Sequence, residues 1–423
     1  MFEQLPSIRR TILLASGFKF PCGLSVRNRI VKASMTECLA GPDGHANELH
    51  SRLYDTFAEG GAGLMLTGNV LIDSRYLEAP GNVVIENGRG LPQLVRWAAA
   101  ATSRGTAVIM QLNHAGRQTP RSAARESVAP SAVPLTAGKF FSTPREITEK
   151  EILETIERFA YAAEIAERAG FSGVEVHAAH GYLFSQFLSP RVNRRADQWG
   201  GSIENRARIL IRTVTRIREM VSSGFAVGVK LNVDDFIKGG LTPDDSLEVA
   251  KMLSPLGVDF IEVGGGTHEY AAAFELGYAG GVGAEGLYAD YARKLRQVTS
   301  IPLILTGGLR ARASMERLLS SGACDLVGMA RPFAIEPDLP LRMLRGEAEG
   351  ARKVDIKLLP APRAAFSELI WARAQIRRLA MGLKPKPGMS AKWAVLGMLW
   401  RDRGFAKRQR AIKRRQGASL AKF

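Results

Sequence analysis

The feature that most constrains this chain is an alternation of two unlike periodicities. Eight short apolar runs, at residues 29–34, 63–70, 106–112, 172–177, 225–231, 258–263, 302–307 and 324–330, read as buried strands. Between them lie stretches with helical spacing, at 88–104, 148–169, 203–222, 243–256, 285–299 and 310–321. Several open on cap chemistry, as in Thr148 ahead of Glu151 and Thr242-Pro243 ahead of Asp244. Strands apolar on both sides need cover on both faces. Eight of them alternating with helices over about 330 residues predict an α/β protein, a (β/α)8 TIM barrel. A doubly wound sheet is the rival, but no GxGxxG follows the first strand.

A barrel makes a functional statement, because polar groups at the C-terminal ends of its strands face the active site. Those groups are Ser34 and Thr36, Asn69, Gln111 with His114, His177 with His180, Lys230 with Asn232, Gly264-Gly265-Gly266, Gly307-Gly308, and Arg331. After the last two strands, Thr306-Gly307-Gly308 and the GMARP run ending near Arg331 read as a phosphate site. Glycines let backbone N–H groups approach an anion, a helix N-terminus favours negative charge, and Arg supplies a two-pronged clamp. A tight turn would explain Gly-Gly alone; its pairing with Arg331 favours phosphate.

The stretch VEVHAAHGYLFSQFLSP, residues 174–190, puts His177, His180 and Tyr182 within six positions at a strand end. Residues three apart point to opposite faces of a strand but share a face on a helical turn. If the strand stops at His177 and the chain turns, both imidazoles can point over the barrel mouth. Three readings stay open at this point: a zinc pair without an evident third ligand, two satisfied core histidines, or two donors aimed at one oxygen. Tyr182 would lie within reach as a proton donor, or be an ordinary core tyrosine. DQWGGSIENRARIL (197–210) is the most distinctive string in the chain. Its glycine turn, Ser202 N-cap and first-turn Glu204, Asn205 and Arg206 read as bracing rather than chemistry.

NRIVKASMT, QLNHAGRQ, VEVHAAHGYLFSQFLSP, DQWGGSIENR and GMARP, in this order, resemble the Old Yellow Enzyme family of FMN-dependent ene-reductases. The resemblance covers roughly residues 18–345 and implies a TIM barrel with non-covalent FMN on its C-terminal face. It implies that Ala33, Ser34, Met35 and Thr36 contact the flavin ring, that Asn69 and Gln111 border its pyrimidine side, and that Gly308, Ala330 and Arg331 hold the phosphate beside Gly307. His177 and His180 match the pair that binds the substrate carbonyl, and Tyr182 matches the proton donor. Lys230 stands where many members carry Arg near flavin N1; the charge is kept and the fork is lost. Asn69 replaces a smaller residue. The iron–sulfur cysteines of larger relatives have no counterpart, since Cys22, Cys38 and Cys324 lie far apart.

The net charge of +17 is a property of one end. Residues 351–423 hold 19 Lys and Arg against three acids, while the first 350 hold 39 against 38. The reading is therefore a barrel over 1–345 and a basic, helical extension over 346–423. In that extension 367–383 and 390–415 have helical spacing, are joined by KPKPG, and carry Trp371, Trp393 and Trp400. Packing on the barrel or a second subunit, an anionic membrane surface, and an acidic partner are the alternatives for it. No specific nucleic acid is expected. The first twenty residues read as mature protein and the location as cytoplasmic, with the tail as a route to the inner membrane surface. The expected activity is hydride transfer from NADH or NADPH through FMN to the C=C bond of an α,β-unsaturated carbonyl compound. NADH oxidation and oxidative N-dealkylation are the alternatives. Loops 37–50, 119–147 and 266–284 would choose the substrate.

Overall fold

The computed structural model describes residues 13–124, 126–136, 140–267, 269, 286–354, 356 and 364–420. Most of the first segment (1–12) and of the substrate loop read at 266–284 lie outside the described residues.

Eight parallel strands form a closed barrel: β1 (Ile30–Lys32), β2 (Leu64–Leu66), β3 (Ala107–Asn113), β4 (Gly173–Ala178), β5 (Ala226–Asn232), β6 (Phe260–Gly264), β7 (Leu303–Leu305) and β8 (Leu326–Met329). Each pairs with the next, and Val327 of β8 aligns with Ile30 of β1 to close the ring. The strand-connecting helices are α1 (Glu48–Glu59), α2 (Leu91–Thr102), α3 (Glu149–Arg168), α4 (Ile203–Met220), α5 (Pro243–Leu253), α6 (Ala289–Val298) and α7 (Arg312–Ser320), and the short α8 (Leu339–Leu344) follows the last strand. Thr148 and Thr242 close capping boxes at the starts of α3 and α5, as their spacing predicts. α1 is absent from the helices predicted above; its start is set by Asn47 in a box with His50.

The inner face of the barrel is packed by Val31, Leu64, Leu66, Ala107, Ile109, Ala226, Phe260, Ile304 and Leu326. An antiparallel hairpin, Phe18–Lys19 with Ser25–Val26, adds Phe20 and Val26 to that cluster. The Phe20 ring lies 5.7 Å from Phe260. The N-terminal end is thus plugged with apolar side chains, which leaves the opposite end for polar chemistry.

Two helices follow the barrel, α9 (Ala364–Ala380) and α10 (Ala391–Leu420). α9 packs against α1 and buries Ile370, Trp371, Ala372, Ile376, Leu379 and Ala380 in the core shared by barrel and helices. Trp371 donates to the Met389 carbonyl at 2.6 Å, and Gln375 bonds the Lys386 backbone in both directions. Of the readings open for the tail, its first half packs on the barrel. α10 differs: it buries Ala391 and Ala394 but leaves Trp393 and Trp400 67% and 76% exposed.

Candidate functional site

β4 runs one residue past His177, to Ala178, and then turns sharply. His180 takes left-handed backbone angles (φ 58°), uncommon for a residue with a side chain. Two side chains hold it there. The Asn232 side chain accepts its N–H at 3.0 Å, Gln118 Nε2 donates to its carbonyl at 3.0 Å, and Asn232 is itself fixed by bonds to Asp235 and the Gly266 carbonyl. The turn brings His180 Nδ1 to 3.3 Å from His177 Nε2, so the two rings meet although three positions separate them. The Ala179 N–H donates to His177 Nδ1 at 3.2 Å, so in the neutral ring the hydrogen sits on Nε2. That hydrogen then faces His180 Nδ1, which places the hydrogen of a neutral His180 on Nε2. Tyr182 lies edge-on to His177, ring centroids 4.8 Å apart. His114 is occupied elsewhere: its Nδ1 accepts from Gly116, its ring packs on Tyr76, and burial lowers its pKa to about 4.

The Tyr182 hydroxyl accepts a hydrogen bond from Asn69 Nδ2 at 3.3 Å. The same nitrogen donates to Glu78 Oε2 at 2.9 Å, which also accepts from Thr36 Oγ1 at 2.7 Å. Glu78 Oε1 pairs with Arg373 of α9 at 2.6 Å. Burial works to raise Glu78, but Arg373 and the bonds from Asn69, Thr36 and Asn82 outweigh it and hold the carboxyl below the usual range. Burial, reinforced by the Glu78 charge, pushes Tyr182 well above the ordinary tyrosine value, so the phenol is protonated at neutral pH.

Ala33, Ser34, Met35 and Thr36 leave β1 directly, with the Ala33 N–H bonded to the Met329 carbonyl of β8. Ser34 Oγ donates to Gln111 Oε1 at 2.7 Å, and Gln111 Nε2 to Glu175 at 2.5 Å. Strand register sets His177 beside Lys230 and Lys230 beside Glu262, and Lys230 Nζ bonds Glu262 at 2.8 Å. The cation expected near a flavin thus carries its own counter-charge. After β7, Gly307 (φ 111°) and Gly308 (φ 73°) both adopt angles that a side chain would strain. After β8, Arg331 pairs with Glu368 of α9 at 3.0 Å. The structure therefore brings the sequence-predicted residues to one end of the barrel. Among the described residues, no group of three or more His, Cys, Asp or Glu is placed to hold a metal ion.

The NADH:flavin oxidoreductase / NADH oxidase family is matched over residues 20–349. The chain belongs to that family. It is 38% identical to the NADH-dependent flavin oxidoreductase iliE of Neonectria sp. (strain DH2) and to that of Hypocrea jecorina (strain QM6a), over 75% of its own length in each case. It spans 45% of the length of the first and 86% of the second. The fold is that of an old yellow enzyme homologue from Zymomonas mobilis, with TM-score 0.67 and 26% identity over 79% of this chain and 93% of that one. The chain is a flavin-dependent oxidoreductase of the Old Yellow Enzyme family, whose cofactor is FMN.

The residues present fit FMN. Beyond the two glycines at positive φ, a Cβ at Gly264 would lie 3.2 Å from His180 Nε2 and 3.4 Å from Lys230 Cε, so that floor tolerates no side chain without movement. Asn69 Oδ1 is buried without a hydrogen-bond partner at the mouth. Arg331 would have to leave Glu368 to clamp a phosphate, and burial works against both charges of that pair, pushing Glu368 up and Arg331 down. Glu78, Arg373, Glu175, Glu262 and Glu368 are absent from the sequence-predicted site. Only Glu175 falls within a motif, two positions before His177, where its place inside an apolar strand conceals it; the basic run of the tail conceals Arg373.

Proposed function

We propose that the chain reduces the C=C bond of an α,β-unsaturated carbonyl compound. The observation that carries this reading is the meeting of His177 and His180 at 3.3 Å, beside a tyrosine kept protonated by burial. With the His177 Nε2 hydrogen turned to His180 Nδ1, His180 Nε2–H is the donor that a carbonyl oxygen would meet, and a donor aimed at developing enolate charge contributes roughly 10²–10³-fold in rate. Asn69 donates to the Tyr182 oxygen, so this bond does not consume the phenol's own hydrogen, which can go to the substrate α-carbon. Ala33–Thr36, Gln111, Lys230, Gly307-Gly308 and Ala330-Arg331 would hold FMN. Bound FMN would supply the hydride that the β-carbon receives, recharged by NADH or NADPH. Tyr182→Phe tests the reading: NADH should still bleach the flavin spectrum, while reoxidation by an enone slows by about 10²-fold or more. Enone reoxidation at the wild-type rate would instead favour NADH oxidation or oxidative N-dealkylation, neither of which takes a proton from Tyr182.

For the tail, the reading is peripheral contact with an anionic membrane surface. Trp393, Leu396, Leu399 and Trp400 are all exposed on α10, flanked by Lys392 and Arg403. Among the described residues no helix is long and apolar enough to cross a membrane. The wild type should float with vesicles containing phosphatidylglycerol at low salt, and a Trp393→Glu/Trp400→Glu variant should not. Equal flotation of both sinks this part.

A further inference from the structure

We propose that Arg373, delivered by the C-terminal helix α9, is a positioning residue that sets the direction of the hydrogen-bond chain ending on Tyr182. The inference rests on the reading of Tyr182 as proton donor. Its basis is a chain of four side chains from four segments: Arg373 to Glu78 at 2.6 Å, Glu78 to Asn69 at 2.9 Å, and Asn69 to the Tyr182 oxygen at 3.3 Å.

The polarity of the chain follows from charge. An ionised carboxylate only accepts, so Glu78 requires the Asn69 amide to face it with Nδ2 rather than Oδ1. The same Nδ2 then presents its second hydrogen to Tyr182, whose oxygen accepts. In this direction Asn69 takes no hydrogen from the phenol. A protonated Glu78 would reverse this arrangement. It could donate to Oδ1 of a flipped Asn69, and an amide oxygen directed at Tyr182 would accept the phenol hydrogen and withhold it. Arg373 is what keeps Glu78 ionised in a buried place, because a carboxyl group buried without a partner titrates as high as roughly 8–9.

Other titratable groups gather near this chain from the loop after β1, from Tyr182 and from the tail. Cys38, from the loop after β1, is pushed up to about 12 by burial and stays a neutral thiol. Tyr182 stays neutral as above. From the tail come Arg373 itself, Arg377, and Asp402 of α10, whose carboxyl is raised by burial. Of these, only Arg373 forms an ion pair with Glu78.

The experiment compares the rate of flavin reoxidation by an enone with the rate of flavin reduction by NADH, across pH, in FMN-loaded full-length protein. In Arg373→Met the ratio of the two should fall about tenfold at neutral pH, the size of one misdirected hydrogen bond. It should recover as pH rises and Glu78 ionises again, so the loss lies on the acid side. Arg373→Lys should restore most of the ratio. Glu78→Gln, which cannot ionise, should show the loss with no recovery at high pH. A wild-type ratio in Glu78→Gln, or a pH-independent loss of both rates alike in Arg373→Met, overturns the proposal. If Arg373→Met does not fold, Glu78→Gln decides alone. If Tyr182→Phe keeps enone reduction, the proton-donor reading itself has failed. If Tyr182→Phe loses it while Glu78→Gln behaves as wild type, only the present inference has failed.

Discussion

His177 and His180 meet because one residue takes a left-handed turn and Asn232 and Gln118 keep it there. The motif is legible in the sequence; the φ of 58° at a histidine is not, since that strain is compensated by residues 52 and 62 positions away in sequence. Two other histidines give a residue-scale prediction. Burial lowers both His50 and His114 from 6.5 to about 4. The unfolded chain therefore takes up protons near pH 6.5 while the folded chain resists until about 4. Stability from each is full above pH 6.5 and is lost as pH falls through that window, on the order of 3 kcal/mol each. The drop in thermal midpoint from pH 7 to pH 4.5 should be smaller in His114→Asn than in wild type. Parallel drops would contradict the assignment.

Among the elements, the eight strands and most of the flanking helices are legible because their signal is local: a buried strand is an apolar run, and Thr148 and Thr242 mark helix starts by spacing alone. α1 is missed because its cap pairs Asn47 with His50, outside the usual Ser/Thr…Glu signature. α9 shows the limit of pattern reading. Its helical period is plain, yet basic composition leaves open whether it packs or faces solvent. The structure answers with Trp371, fully enclosed and bonded to the Met389 carbonyl. Trp371→Ala should cost about 3–5 kcal/mol, read as a lower denaturant midpoint. A loss below about 1 kcal/mol would show that α9 is not part of the core. For the same reason, cutting the chain after residue 350 would expose the barrel's own core as well as removing the tail.

At the scale of the whole molecule, a barrel plugged at one end gathers residues from distant segments at the other. The residues that the family motifs name leave the C-terminal ends of the barrel strands. What no local pattern reveals is the contact between Glu78 and Arg373, 295 positions apart. Nor does it reveal the Lys230–Glu262 and Gln111–Glu175 pairs, which exist only once strands three to six stand in register. The central claim is that this end of the barrel reduces enones with Tyr182 as proton donor. Anaerobic stopped-flow on the FMN-loaded protein tests it most directly. NADH should bleach wild type and Tyr182→Phe alike, and a simple cyclic enone should restore the colour of the wild type at least about 10²-fold faster than that of the variant. Equal reoxidation of the two by the enone, or reduced wild type that the enone leaves bleached, would contradict the account.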